Sequence, residues 1–316
     1  MISVLKPGLL ATVQDAGRPG LRAFGMPVAG AIDRWALAAA NLLAGNGPGA
    51  AAVELTLLGG SFRFERAALA ALAGADMQAR LDGEPVAPWS SFRARAGSTL
   101  VLGPAAAGVR CYLAVRGGVD VPPVLGSRST YVRARVGGLG GRALAAGDLL
   151  PVGRGRGRPP APRALAAGEV PACGGEVRLR ALPGPQEDRF DPEGIETFYS
   201  AAWKVTPQND RMGYRLEGPP VRHLAGADIL TDPLLPGAVQ VPGNGRPIVL
   251  MVDCQTAGGY AKIATVIGPD LRRLAQARAG DTVRFARVTH AAAVRALREE
   301  RAALGALARR IARGRR

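Results

Sequence analysis

Four short segments carry most of the side chains that could do chemistry. They read VQDAGRPG (residues 13–20), GSRSTYVR (126–133), NDRMGYRLEGP (209–219) and DCQTAGGYAK (253–262). Each sets glycine beside carboxylate, amide, hydroxyl or guanidinium groups. Glycine lets backbone N–H groups approach a ligand closely, and the flanking side chains can orient it. Such groupings suit capture of a carboxylate or a phosphate. The candidate catalytic residues are Asp15, Arg211, Arg215 and Asp253. Gln14, Arg18, Arg128, Ser129, Gly213, Gln255, Thr256, Gly258 and Gly259 are the candidate substrate contacts. One such segment also reads as a turn whose polar side chains satisfy its own backbone. Four together make a ligand site an equal reading.

Each segment implies a geometry. Gly213 and the Gly-Pro-Pro at 218–220 argue against a helix in the third segment. As a strand it alternates, with Met212, Tyr214 and Leu216 on a core face and Arg211, Gly213 and Arg215 on the other. Glycine would then be an open floor between two guanidinium groups. The alternative is that both arginines pair with Asp210, Glu217 or another chain. In the first segment Asp15 either holds Arg18 in place or meets the ligand directly, in a turn after a strand at residues 9–13. In the fourth, a strand at 248–252 ends at Asp253. Gln255 would meet a ligand amide, the glycine N–H groups its carbonyl or phosphate, and Tyr260 would pack.

The elements that must hold these segments are short. Apolar runs at residues 53–58, 99–102, 111–115, 177–181 and 248–252 are about five residues long and rich in Val, Leu and Ile. That is the strand length of sandwiches and barrels. Helix signals are few. IDRWALAAANLLAGN has Asp33 as a cap, Trp35, Ala39, Leu42 and Leu43 along one face, and Gly45 as a stop. A second helix is expected from Asp270 to Gly280, and a basic one from His290 to about Arg313. Gly and Pro dominate between Pro151 and Ala172, marking a linker. The expected division is residues 1–153 for one domain, 154–175 for the linker, 176–289 for a second domain and 290–316 for the helix. CYLAV runs into Gly117-Gly118 before Gly147-Asp148, and IVLMVD leads to Gly258-Gly259 before Gly280-Asp281. This echo suits duplication of one small β-barrel and, equally, the general frequency of Gly-Asp turns.

Composition bounds the rest. The 316 residues are 47% hydrophobic, enough for two packed domains. Lys and Arg number 41 against 25 acids, yet Lys6, Lys204 and Lys262 are the only lysines. Arginine spread along the chain with 5% aromatics lacks the footprint of a nucleic-acid binder. Cys111, Cys173 and Cys254 form no C-x-x-C, which suits a reducing cytoplasm. No signal peptide or membrane-spanning run is expected, nor a metal site from His223, His290 and these cysteines. A P-loop, a Rossmann fingerprint and a nucleophile elbow are all missing.

QDAGRPG, GAIDRWALAAAN, YLAVRGGVDVPPVLGSRST, DRMGYRLEGP and QTAGGYAKIATVIGPDL, in this order, resemble the carboxyltransferase A/B-type family, also called KipA-like or allophanate hydrolase subunit 2. The likeness runs from about Val4 to Phe285. Asn209 stands where serine is usual, Cys254 fills a variable place, and Ala261 replaces a common proline. The resemblance implies a mainly β fold of two tandem cyclophilin-like β-barrel domains with a few short helices. It implies one component of an ATP-dependent 5-oxoprolinase, using ATP with Mg2+ at a shared site. The partners would be KipI-like and LamB/YcsF-like subunits. Such work needs groups that stabilise oxyanion or phosphate charge. Two other functions fit the family. One is a biotin-dependent urea or amide carboxyltransferase, with biotin carried by another chain because no lysine here has a biotinylation context. The other is a binding module that regulates a histidine kinase through a KipI-like partner.

Overall fold

The computed structural model describes residues 1–313. The chain divides into two compact units. The first comprises Met1–Arg18, Ala29–Cys173 and Ala303–Arg316, and the second Pro19–Val28 and Gly174–Ala302. The class is mainly β with tandem barrel-like units and few helices, as the sequence led us to expect.

The first unit has two antiparallel sheets. Leu149–Leu150, Ile2–Lys6, Ser61–Phe64, Thr99–Val101, Arg80–Leu81 and Glu84–Pro85 form one, in that order. Leu10–Gln14, Ala52–Thr56, Ala107–Val115, Ala68–Asp76 and Ser90–Ala94 form the other. Val4, Phe62 and Leu100 of the first sheet share one buried core with Val13, Leu55 and Leu113 of the second. The alternate residues Tyr112 and Ala114 face a second apolar cluster with Leu37 and Leu43. Covered on both faces, the strand Ala107–Val115 reads as a nearly continuous apolar run rather than alternating.

Leu37 and Leu43 come from helix α1 (Arg34–Ala44). The Asp33 side chain accepts from Ala36 N, and Gly45 ends the helix at φ 79°. Its buried face centres on Ala36, Leu37, Ala40 and Leu43, so Trp35 and Leu42 lie at the rim instead of the centre expected for them. Buried Glu54 fixes the entry to this helix. It accepts from Ile32 N at 3.1 Å and from the Tyr112 hydroxyl at 2.7 Å, and that hydroxyl accepts from Asp33 N at 2.9 Å. Burial, with Glu54 alongside, pushes the Tyr112 phenol well above its ordinary range.

The second unit is a closed seven-stranded barrel. Its order is Glu176–Pro183, Lys262–Val266, Ala238–Gln240, Ile248–Leu250, Gly213–Glu217, Trp203–Asn209 and Thr282–Arg287. Parallel pairing of the last strand with the first closes it. Outside the barrel, Asp228–Pro233 and Ala257–Tyr260 form an antiparallel pair. Helix α2 (Pro192–Ser200) was not expected from the sequence; Asp191 caps it at Gly194 N and Pro192 opens it. Helix α3 (Gly268–Ala275) starts two residues before Asp270 and stops well short of Gly280. Asp270 binds the Arg180 guanidinium through both oxygens, at 2.9 and 2.7 Å. Helix α4 (His290–Arg313) runs as expected; residues 314–316 of the expected helix lie outside the described residues.

Residues 154–175 contain a 3-10 turn at Ala167–Glu169 and are otherwise irregular. They are not free of the first unit. Ser91 N donates to Arg163 O at 2.8 Å, and Leu165 is buried beside α1. The two Gly-Asp turns match in detail. Gly147 N donates to Val4 O and Gly280 N to Val205 O, both at 2.8 Å. Asp148 accepts from Ala145 N at 2.7 Å and Asp281 from Arg278 N at 2.8 Å. Among the described residues no helix is long and apolar enough to cross a membrane.

Candidate functional site

In the first unit the segments QDAGR and GSRST meet around Asp15. The strand Leu10–Gln14 delivers Asp15 to its end, and the turn that follows needs Gly17 at φ 87°. The Asp15 carboxylate accepts from Gly17 N at 2.8 Å, Ser127 Oγ at 2.6 Å, Ser129 Oγ at 2.5 Å and Arg128 N at 2.6 Å. Four donors fill most of its acceptor capacity. The expected grip of Asp15 on Arg18 does not form: buried Arg18 instead donates to Ser129 O at 2.5 Å. Buried Gln14 donates to Thr130 O and Thr12 Oγ1, both at 3.0 Å. Arg128 turns its guanidinium to Val121 O and Asp120, each at 2.8 Å. Four sequence-named residues therefore join Ser129 in one network. Its chemistry is to hold the loop at 127–130 and its backbone groups in a fixed posture.

In the second unit the third and fourth segments meet. Arg211 Nε and Nη2 bind Asp253 Oδ2 and Oδ1 at 2.8 and 3.0 Å, and both residues are buried. Asp253 N also donates to Arg211 O at 2.9 Å. The open floor between Arg211 and Arg215 is absent. The strand begins only at Gly213, because Asp210 accepts from Met212 N and Gly213 N and makes a turn there. Arg211 precedes the strand and goes inward, while Arg215 stands exposed. A Cβ on Gly213 would lie 3.2 Å from both Ile248 Cγ2 and Val249 O, so that glycine lets two strands approach.

Gln255 and Thr256 follow Asp253 after buried Cys254 and remain solvent-accessible. Gly258 and Gly259 lie on the strand Ala257–Tyr260, where a Cβ on Gly258 would meet Leu234 at 2.8 Å and Gln240 Nε2 at 3.1 Å. Tyr260, expected to pack, is 42% exposed. Two basic residues of this region escaped the sequence reading. Arg22 donates to Leu234 O at 3.0 and 2.6 Å and to Gln255 O at 2.8 Å, pinning the loop ends that flank the pair of glycines. Lys262 is buried, contacts the Asp232 carboxylate through Nζ, and reaches Pro233 O at 3.3 Å. The Lys262 and Gln186 contacts hold the Asp232 carboxyl below its ordinary range. A lone lysine ending GGYAK in a chain that otherwise uses arginine was the available signal. Among the described residues no three His, Cys, Asp or Glu side chains group to hold a metal ion.

Comparison with known proteins places this arrangement. Residues 24–287 match the family model for the carboxyltransferase domain, subdomain A and B. The chain is 42% identical to the 5-oxoprolinase C-subunit of Escherichia coli, over 98% of this chain and 99% of that one. It is 38% identical to the 5-oxoprolinase C-subunit of Haemophilus influenzae, over 92% of each. Among solved structures, K. lactis urea amidolyase superposes with a TM-score of 0.91 at 29% identity, covering 97% of this chain and 20% of that one. The loop at 127–130 and the Arg211–Asp253 pair lie within residues 24–287, residues 14–18 precede that match, and the chain belongs to the carboxyltransferase A/B-domain family.

Proposed function

We propose that this protein is the C-subunit of an ATP-dependent 5-oxoprolinase, converting 5-oxoproline, ATP and water to glutamate, ADP and phosphate. The observation that carries the reading is length together with identity. The match to the E. coli 5-oxoprolinase C-subunit covers 98% of this chain and 99% of that protein, so the two correspond end to end. The likeness to urea amidolyase instead takes up a fifth of a much larger chain. Membership of a multi-subunit enzyme implies partners, and we assign that role to KipI-like and LamB/YcsF-like subunits, in the cytoplasm.

The residues present suit positioning more than proton transfer. Asp15 is engaged by four donors and Asp253 by a buried guanidinium, so neither offers a free base. The exposed guanidinium of Arg215, the Gln255 amide and the Thr256 hydroxyl remain open to a substrate carboxylate or lactam. Among the described residues no three His, Cys, Asp or Glu side chains group together, so an Mg2+ ion here would depend on nucleotide phosphates for ligands.

The test is co-purification with the two candidate partners, followed by glutamate release from 5-oxoproline and ATP. Turnover should require the partners. Strong 5-oxoproline-dependent ATP hydrolysis by this chain alone would defeat the partnership. The fold shared with urea amidolyase supports a second reading, a carboxyltransferase that receives carboxybiotin from another chain. Carboxylation of urea by a mixture with a biotinylated carboxylase, and no glutamate release, would favour it.

A further inference from the structure

The sequence shows arginine spread along the chain, but the fold gathers five of them at one cavity of the first unit. The cavity holds about 770 Å³, within the range of small-molecule sites. Arg66, Arg93, Arg95, Arg116 and Arg154 line it, and among the described residues no carboxylate does. Strand register explains part of the gathering. Arg93 pairs with Leu69, and Arg116, the residue after the strand Ala107–Val115, donates from its N to Leu69 O at 2.9 Å, so both arginines lie beside Leu69. Opposed residues of neighbouring strands share a face, and Arg95 comes just past the end of the strand Ser90–Ala94.

The Gly/Pro/Arg-rich stretch after Pro151 supplies the remaining wall. Gly155 packs on Arg116, where a Cβ would come within 2.5 Å of its Nε. Arg116 in turn donates to the carbonyls of Arg156 and Gly157, the latter at 2.8 Å. These contacts hold Arg154 at the cavity. The neighbouring carboxylates are committed elsewhere: Glu65 to Ser3 and Arg63, and Asp120 to Arg128. Asp82 acts on Arg95 by charge alone. Arg66 and Arg154 form no hydrogen bond or ion pair among the described residues, and both are exposed. Five like charges around one concavity, without carboxylates on its walls, focus a positive potential into it. Ile2, Phe64, Leu69 and Val115 give the same cavity an apolar part.

We infer that this cavity binds an organic polyphosphate of nucleotide size, its phosphates on the arginines and its body on the apolar wall. Arginine forks match phosphate oxygens in pairs, which suits this ligand better than a single carboxylate. The inference does not rest on the 5-oxoprolinase reading, because binding is measured without 5-oxoproline and without other subunits.

The experiment is calorimetric titration of the full-length chain with ATP and, separately, with inorganic triphosphate. One-to-one binding is expected for both, tighter for ATP, and weakening several-fold when salt rises from about 50 to about 200 mM. Arg66→Gln and Arg154→Gln should each weaken binding about tenfold while leaving the melting temperature unchanged. Absence of saturable binding to the wild type would overturn the inference. So would equal affinity in the Arg66→Gln/Arg154→Gln double variant. A single-stranded oligonucleotide that binds far more tightly than ATP would also overturn it, and would make the patch a nucleic-acid surface.

Discussion

Asp15 and Asp253 look alike along the chain, each following an apolar strand and preceding a glycine-bearing turn. The fold uses them differently. Asp15, in the first unit, accepts only from neutral groups: two serine hydroxyls and two backbone N–H groups. Asp253, in the second, is buried against the Arg211 guanidinium. The first carboxylate organises a loop through dipoles, and its charge is spread over donors that carry none. The second neutralises a buried cation, so the charge itself is what matters. A carboxylate beside a glycine turn is thus an anchor of two distinct kinds, and the kinds should fail differently.

The largest effect should come from Asp253→Asn. It leaves Arg211 buried without its counter-charge, which costs roughly 3–5 kcal/mol. For a protein of this size that lowers the melting temperature by on the order of 10 °C. Arg211→Met combined with Asp253→Leu should recover most of the loss, because a buried ion pair contributes little net stability against apolar packing. Thermal unfolding of the single and double variants decides this. A single variant that melts like the wild type but has lost turnover would make Asp253 a substrate contact instead.

The contrast also shows why parts of the molecule were legible in sequence. Asp33, the apolar face after it and Gly45 are local signals, and α1 formed between them. The Gly-Asp turns were legible for the same reason: an i to i−3 contact such as Asp281 with Arg278 N needs four residues and no distant partner. Helix α2 was missed because Gly194 sits near its start. The structure requires that glycine for a close approach, since a Cβ there would come within 2.6 Å of Arg222 O. Alternation failed at Arg211 because it assumes that the strand continues through the segment. Asp210 ends that continuity, and the true partner of Arg211 lies 42 residues away. Arg22 and Lys262 were missed for a related reason, since both bind acceptors remote in sequence.

A smaller and more local effect is expected for Asp15→Asn. The amide keeps the shape but places an N–H group against donors, so at least one charge-assisted hydrogen bond is lost, about 1.5–3 kcal/mol. The loss should concentrate in the loop it holds. Hydrogen exchange at the amides of Ser127, Arg128, Ser129 and Thr130 should accelerate well before global unfolding, while the barrel of the second unit stays protected. Uniform acceleration over both units would mean that Asp15 carries global stability as Asp253 does, and the contrast would collapse.

The smallest effect tests the same contrast through thiols. Burial pushes the Cys111 thiol up to about 12. Burial also raises that of Cys254, less completely, because Arg22 Nη2 lies 3.7 Å from its sulfur and favours the thiolate. Cys173 is half-buried. A thiol–disulfide reagent at about pH 8 should therefore modify Cys173 first and leave the other two until the fold opens, since only a thiolate attacks. Asp253→Asn should then release Cys254, its chain neighbour, while Cys111 in the other unit stays protected. Asp15→Asn should release neither, because the loop it anchors contains no cysteine. Mass mapping of the labelled residues reads all three outcomes. Simultaneous exposure of Cys111 and Cys254 in the Asp253→Asn variant would show that the two units open together, and that loss of the ion pair is felt beyond the barrel that contains it.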